Sequence, residues 1–284
     1  KDTQLITYFL GEQSLFSFNI TKDSISLLRA DISDKLIEST NDFKNHLSKR
    51  EDINELGYDL YMYLLGQQMH REKKNLVIVA DNVLNYIPFE VLKSPDGSLL
   101  IENYNVSYNG SARIFIELKK DFFKYDATQD WVGFAPKYCD EGALSSSIDE
   151  VNEIAKLTDG VKFTAGAAKK ENFLLHNKEF SIIHLAMHAK IDHENPLYNR
   201  LIFDDGELTS SEIYTSTSKA NLAVLSACNT GFGKIEKGEG VMSMARAFHY
   251  AGIPSVLMSL WKVPDQETKL IMTDFYRYLK DGKS

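Results

Sequence analysis

Cysteine is the first scarcity in this chain of 284 residues, which has two, Cys139 and Cys228. That excludes a disulfide framework and points to a reducing compartment. Basic charge is the second. The 32 Lys and Arg stand against 40 Asp and Glu, a net charge of −8. This balance argues against direct binding of nucleic acid or an anionic membrane, both of which need a basic surface. Long apolar runs are missing too, since none approaches the ~18 residues of a membrane span. There is no fixed-period repeat and no low-complexity segment. The chain opens Lys1-Asp2-Thr3, with neither the n-region nor the h-region of a secretory signal. The expectation is a piece of a longer protein without a signal peptide.

What remains is ordinary globular material. At ~150 residues per domain the length predicts about two domains or one large α/β unit. Hydrophobic residues make up 43% of the chain, enough for a core that needs neither disulfide nor metal to hold it. Leu5 to Leu10 and Leu15 to Ile20 flank Gly11-Glu12-Gln13 and predict a hairpin. Ile32 to Leu47 and Ile53 to Met69 predict helices. Leu76-Val77-Ile78-Val79-Ala80 is a short continuous apolar run, the mark of a strand buried on both faces. Turns at Pro88, Pro95 and Asp96-Gly97 lead to a strand at Tyr104 to Tyr108 and a helix at Ala112 to Phe123. The polar stretch Tyr125 to Asp130 marks the candidate boundary between halves 1–128 and 129–284.

Beyond it, strands and helices alternate. Strands are expected at Trp131 to Ala135, Val161 to Ala165, Ser181 to Met187, Leu222 to Leu225 and Val256 to Leu260. Ser147-Ile148-Asp149-Glu150 reads as a capping box that opens a helix with Ile148, Val151, Ile154 and Ala155 as its apolar face. Val241, Met244, Ala245 and Phe248 mark another helix, closed by Gly252. Ile271, Phe275 and Leu279 mark the last, beginning near Asp265. This alternation implies a mostly parallel sheet with its site beyond the carboxyl ends of the strands.

Chemistry-bearing residues stand at those ends. One strand runs out at His188, another at Cys228, and a third at Trp261 with Asp265 four residues on. A thiol reaches its nucleophilic thiolate form beside a base or cation, and an imidazole supplies either. Spacing alone leaves the bland reading open. A cysteine at the end of an apolar strand is more often a small buried hydrophobe, and a histidine there a core or capping residue.

Ile183-His184-Leu185-Ala186-Met187-His188-Ala189, Val224-Leu225-Ser226-Ala227-Cys228-Asn229-Thr230-Gly231 and Gly238-Glu239-Gly240-Val241 together resemble the signature of CHAT-domain cysteine proteases, within the caspase–separase superfamily. The likeness continues through Ala245-Arg246-Ala247-Phe248 and Ser259-Leu260-Trp261-Lys262-Val263-Pro264-Asp265. Upstream it takes in Ile87-Pro88-Phe89-Glu90-Val91-Leu92 and covers roughly residues 76 to 284. The resemblance implies an α/β caspase-like fold, a mostly parallel sheet flanked by helices. It also implies two halves, a pseudo-protease-like N-terminal one and a C-terminal protease.

By carry-over His188 is the catalytic histidine and Cys228 the nucleophile, with the amides of Cys228 and Ala189 holding the oxyanion. The position after the histidine is often Gly in the superfamily and is Ala189 here. Asp265, Trp261 and Glu239 are the implied substrate-binding residues, Asp265 matching a separase position that favours Arg or Lys before the scissile bond. The family normally continues past the last helix into another helix and strand, so its C-terminal end is expected to be missing here. The implied function is a cysteine endopeptidase acting on a protein substrate with no metal or organic cofactor. It would be cytoplasmic, bacterial, and controlled by a partner or an upstream helical repeat module.

Other readings of the sequence compete with this one. His184, His188 and His193 invite a metal site, but on a strand positions 184 and 188 lie ~13 Å apart, and no Cys or carboxylate set completes it. Gly231-Phe232-Gly233-Lys234 lacks the Walker spacing. It reads as a substrate-side loop, with a plain flexible loop as the alternative. Cys139 reads as a bystander. Loops Ile191 to Tyr198 and Phe232 to Gly238 carry little apolar anchoring and are expected to be ordered by a partner. The rival in another class is a catalytically silent interaction or scaffold domain. A thiol hydrolase or acyltransferase for small molecules would use the same dyad.

Overall fold

The computed structural model describes residues 2–32, 34–121, 129–138, 146–192, 194–226, 234–236, 240–242, 244–259 and 263–283. The chain divides into two compact units, Lys1–Glu117 with Ile235–Val241, and Leu118–Lys234 with Met242–Ser284.

The first unit is built on one five-stranded sheet. Strands β1 (Thr3–Leu10) and β2 (Ser14–Ile20) form the expected hairpin, with Leu10 opposite Leu15 and the Gly11 amide bonded to the Ser14 carbonyl. A third strand, β3 (Ile25–Asp31), continues the meander. It carried no sequence signal because it is an edge strand, mostly exposed on both faces, so its side chains show no inside–outside alternation. Helices α1 (Asp34–Lys49) and α2 (Asn54–Leu64) then cross to β4 (Asn75–Val79), which runs parallel to β1. The single turn α3 (Leu100–Asn103) leads to β5 (Asn105–Tyr108), parallel to β4, and α4 (Ala112–Asp121) follows. The sheet order is β3-β2-β1-β4-β5. The interior strand β4 is buried on both faces, as its unbroken apolar run predicts. Leu76 and Ile78 enter the core with Phe43, Leu60 and Leu64, while Val77 and Val79 meet Leu5, Ala112 and Phe115.

The second unit is three-layered. Strand β6 (Gln129–Ala135) leads through α5 (Ser147–Thr158) to β7 (Val161–Thr164), and α6 (Lys170–His176) leads to β8 (Phe180–Leu185). After β8 the chain leaves the sheet. It forms a three-stranded antiparallel sheet from β9 (Ala189–Lys190), β10 (Arg200–Phe203) and β11 (Gly206–Thr209), then α7 (Ser210–Thr215), and returns as β12 (Leu222–Leu225). A two-stranded pair, β13 (Lys234–Glu236) and β14 (Gly240–Met242), whose residues Ile235–Val241 are grouped with the first unit, interrupts the second before α8 (Met244–Tyr250). Strand β15 (Ser255–Met258) and the long α9 (Asp265–Lys280) complete the unit. The main sheet has the order β15-β12-β8-β6-β7, with every neighbouring pair parallel. Successive strand residues point to opposite faces, so Phe134, Ile183, Leu185 and Leu225 pack with Phe173, Ile213 and Phe248 on one side. On the other side Trp131, Val224 and Ala135 pack with Val151 and Ile154 of α5 and Met272 and Tyr276 of α9.

Three local expectations are corrected here. Residues Ser147 to Glu150 do not form a capping box. The N-cap of α5 is Ser146, without a side-chain cap bond, and Glu150 turns inward to 1% exposure, where Oε1 meets His184 Nε2 at 2.8 Å. A buried histidine competes better for that carboxyl than a backbone amide at the solvent edge does. Val241 belongs to β14 and not to α8, although Gly252 does close α8 with φ +101° and its N–H on the His249 carbonyl. The face of α9 is rotated by one residue from the expected one. Met272 and Tyr276 are buried and the expected Phe275 packs against the same cluster, whereas Ile271 is 65% and Leu279 41% exposed. Tyr276 is drawn in because its hydroxyl meets His184 Nδ1 at 3.1 Å.

Candidate active site

Parallel pairing aligns the strand ends of the second unit. Phe134, Leu185, Leu225 and Met258 form one row across β6, β8, β12 and β15. His188 stands three residues beyond Leu185 on β8, and Cys228 stands three residues beyond Leu225 on β12. These two strands are hydrogen-bonded neighbours, paired from Ile182 with Leu222 to Leu185 with Leu225. Cys228, Glu239 and Trp261 lie outside the described residues, as do Cys139 and His193.

His188 is half-buried at the point where the chain leaves the main sheet. Ala186 and Met187 before it are fully buried, and the Ala186 amide extends the pairing by donating to the Phe134 carbonyl at 2.9 Å. Beyond it, the Ile202 N–H donates to the His188 carbonyl at 3.0 Å, and the next pair across the ladder is Ala189 with Leu201. Antiparallel pairs alternate between bonded and unbonded, so the Ala189 N–H points away from β10. As β9 is the edge of its sheet, that amide points outward from the ladder. Ala189 does not have the positive φ that would favour glycine, so a methyl group there costs nothing in backbone strain.

Tyr138 was missed in the sequence. It sits three residues past the end of β6, and its ring lies against the imidazole of His188, with centroids 4.3 Å apart and planes at 46°. Its hydroxyl accepts from the His188 N–H at 2.9 Å and donates to the Ile202 carbonyl at 2.7 Å. The available signal was positional: an aromatic with a polar tip just past the carboxyl end of the strand beside β8.

Asp265 opens α9, and its Oδ2 accepts from the Ser146 amide at 2.6 Å. One carboxylate therefore serves the N-termini of two helices, where negative charge is favoured. His184 is wholly buried between Glu150 and Tyr276, a packed core histidine. Burial pushes the Tyr276 hydroxyl well up from its ordinary range, which keeps it protonated.

The segment Ile191 to Tyr198 is better anchored than its composition implies. Asp192 Oδ1 accepts from the amides of Glu194 and Asn195, Asn195 Oδ1 from that of Leu197, and Asn199 Oδ1 from that of Asp192. Polar side chains closing on nearby backbone do here what apolar contacts do elsewhere. Of the other flanking loop only Lys234–Glu236 is described.

Among the described residues no group of three or more His, Cys, Asp or Glu side chains is placed to hold a metal ion. No helix among them is long and apolar enough to cross a membrane. No curated protein matches the chain. The family model of the CHAT domain matches residues 51–284, a span that opens just before α2 and so ahead of the motifs that begin at about residue 76. With most of its length matched, and with parallel sheets flanked by helices as a caspase-like fold requires, the chain belongs to the CHAT-domain family, a family related to the caspase-like proteases.

Proposed function

We propose that the protein is a cysteine endopeptidase that cleaves a protein substrate with Cys228 as nucleophile and His188 as its partner. The observation that carries this reading is the parallel register of β8 and β12, with Leu185 beside Leu225 and the two residues equally far beyond them. In this reading the Cys228 thiolate attacks the scissile carbonyl carbon, and its π electrons move to the oxygen. The amides of Ala189 and Cys228 hold that oxyanion. Collapse expels the amine, which takes its proton from His188, and leaves a thioester. Water then hydrolyses the thioester, returning the thiol and releasing the new carboxylate. The outward direction of the Ala189 N–H supports its part in this scheme.

Asp265, Trp261 and Glu239 are proposed as substrate-binding residues, with Asp265 favouring Arg or Lys before the scissile bond. Residues 129–284 would be the protease half, and residues 1–128 a silent, pseudo-protease-like half. The proposal includes control by a regulatory partner or an N-terminal helical repeat module, and a cytoplasmic setting. It includes no direct contact with nucleic acid or membrane, in keeping with the acidic net charge of −8. The test is cleavage of a peptide library by the wild type and by Cys228→Ala, His188→Ala and Cys139→Ala. The first two should lose cleavage while keeping the fold, and the third should keep it. Cleavage that survives Cys228→Ala would refute the mechanism.

A further inference from the structure

We infer that Tyr138 is the positioning residue of the active-site histidine, an inference that rests on the Cys228–His188 reading above. His188 and Ile202 face each other at a bonded position of an antiparallel ladder, where two N–H···O bonds are normally exchanged. Only one is made directly, from the Ile202 amide to the His188 carbonyl at 3.0 Å. In place of the other stands the Tyr138 hydroxyl, which accepts from the His188 amide at 2.9 Å and donates to the Ile202 carbonyl at 2.7 Å. A strand needing only to be held would use the direct bond. Inserting a hydroxyl sets the separation of the two backbones at residue 188 and ties it to the end of β6.

The same side chain bounds the imidazole, its ring centroid 4.3 Å from that of His188. Backbone and side chain of His188 are thus held by one residue, rooted in the strand next to β8. A general acid works only within hydrogen-bond reach of its partner, and small displacements of such a group cost large factors in rate. Tyr138 supplies that restraint through its contacts with His188 and Ile202.

The experiment is the rate of alkylation of Cys228 by iodoacetamide in the whole chain, read by mass spectrometry so that Cys139 is scored apart. It compares wild type, His188→Ala, Tyr138→Phe and Tyr138→Leu between pH 5 and 9. Tyr138→Phe keeps the ring and loses the inserted hydroxyl, so the rate near neutral pH should fall about threefold. Tyr138→Leu loses both, and the rate should fall about tenfold or more, with a pH profile approaching that of His188→Ala. A residue serving stability alone would lower the melting temperature and leave the rate of the folded protein unchanged. Should Tyr138→Leu fail to fold, Tyr138→Phe decides alone. Wild-type rates in the folded Tyr138 variants, with a slowed His188→Ala, would overturn the inference and leave the dyad standing. An unslowed His188→Ala would overturn the dyad itself, and the inference with it.

Discussion

Removing the Glu150 carboxyl tests the buried linkage that joins α5, β8 and α9. Glu150, His184 and Tyr276 are 1%, 0% and 1% exposed. One arrangement satisfies all three: the Tyr276 O–H donates to His184 Nδ1 at 3.1 Å, and His184 Nε2–H donates to Glu150 Oε1 at 2.8 Å. Glu150→Ala strips His184 Nε2–H of its acceptor in a place water does not reach and leaves a void beside the imidazole. Leaving a buried N–H without an acceptor costs about 1–3 kcal/mol, and the void left by the missing side chain adds to that, against about 5–15 kcal/mol for the stability of an ordinary domain. Glu150→Gln keeps the acceptor, so its cost should fall to that of one weakened hydrogen bond, about 1 kcal/mol.

Urea unfolding followed by tryptophan fluorescence reads this directly. The Trp131 ring lies 5.9 Å from His184 and 6.0 Å from Tyr276, centroid to centroid, and a Trp261→Phe background removes the second emitter. A loss below about 1 kcal/mol for Glu150→Ala would mean that the pair does not hold α5 to the sheet. A glutamine variant as unstable as the alanine one would refute the assigned donors and acceptors.

Gly133→Ala should destabilise the second unit by about 1–3 kcal/mol, as overpacking does. A Cβ there would lie 2.9 Å from Trp131 Cζ2, and the fully buried ring has nowhere to move; a thermal melt within 1 °C of wild type would contradict this. Glu90 makes a pH-dependent prediction: burial pushes its carboxyl up, opposed by the bond it accepts from the Tyr108 hydroxyl. A carboxyl raised in the folded state costs stability as pH climbs above the ordinary carboxylate range. Glu90→Gln should therefore melt higher than wild type at pH 7 and match it near pH 4, and a difference independent of pH would count against it. Asp265→Ala should cost about 1 kcal/mol through the lost bond to the Ser146 amide. It should also flatten any preference for Arg or Lys in the peptide library, and a sharp basic preference that survives would remove Asp265 from that role.

Most secondary structure was legible because it follows from local pattern. The unbroken run Leu76 to Val79 is buried on both faces, and the hairpin around Gly11 and the close of α8 at Gly252 follow from residue chemistry over a few positions. The motifs around His188 and Cys228 were legible for the same reason, as were the strands β8 and β12 that precede them. Where a side chain's best partner is remote in sequence, local pattern misleads. Glu150 looked like a cap because its competitor, His184, lies 34 residues away. The face of α9 was misjudged because Tyr276 answers to His184 across 92 residues, which periodicity within one helix does not register. Only the tertiary structure decided that β8 and β12 are parallel neighbours in register, and only it brought Tyr138 to His188 across 50 residues. Strand pairing and inserted hydroxyls are contacts between segments. Propensity and periodicity act along one segment, so they set which strands form and leave open which strands meet.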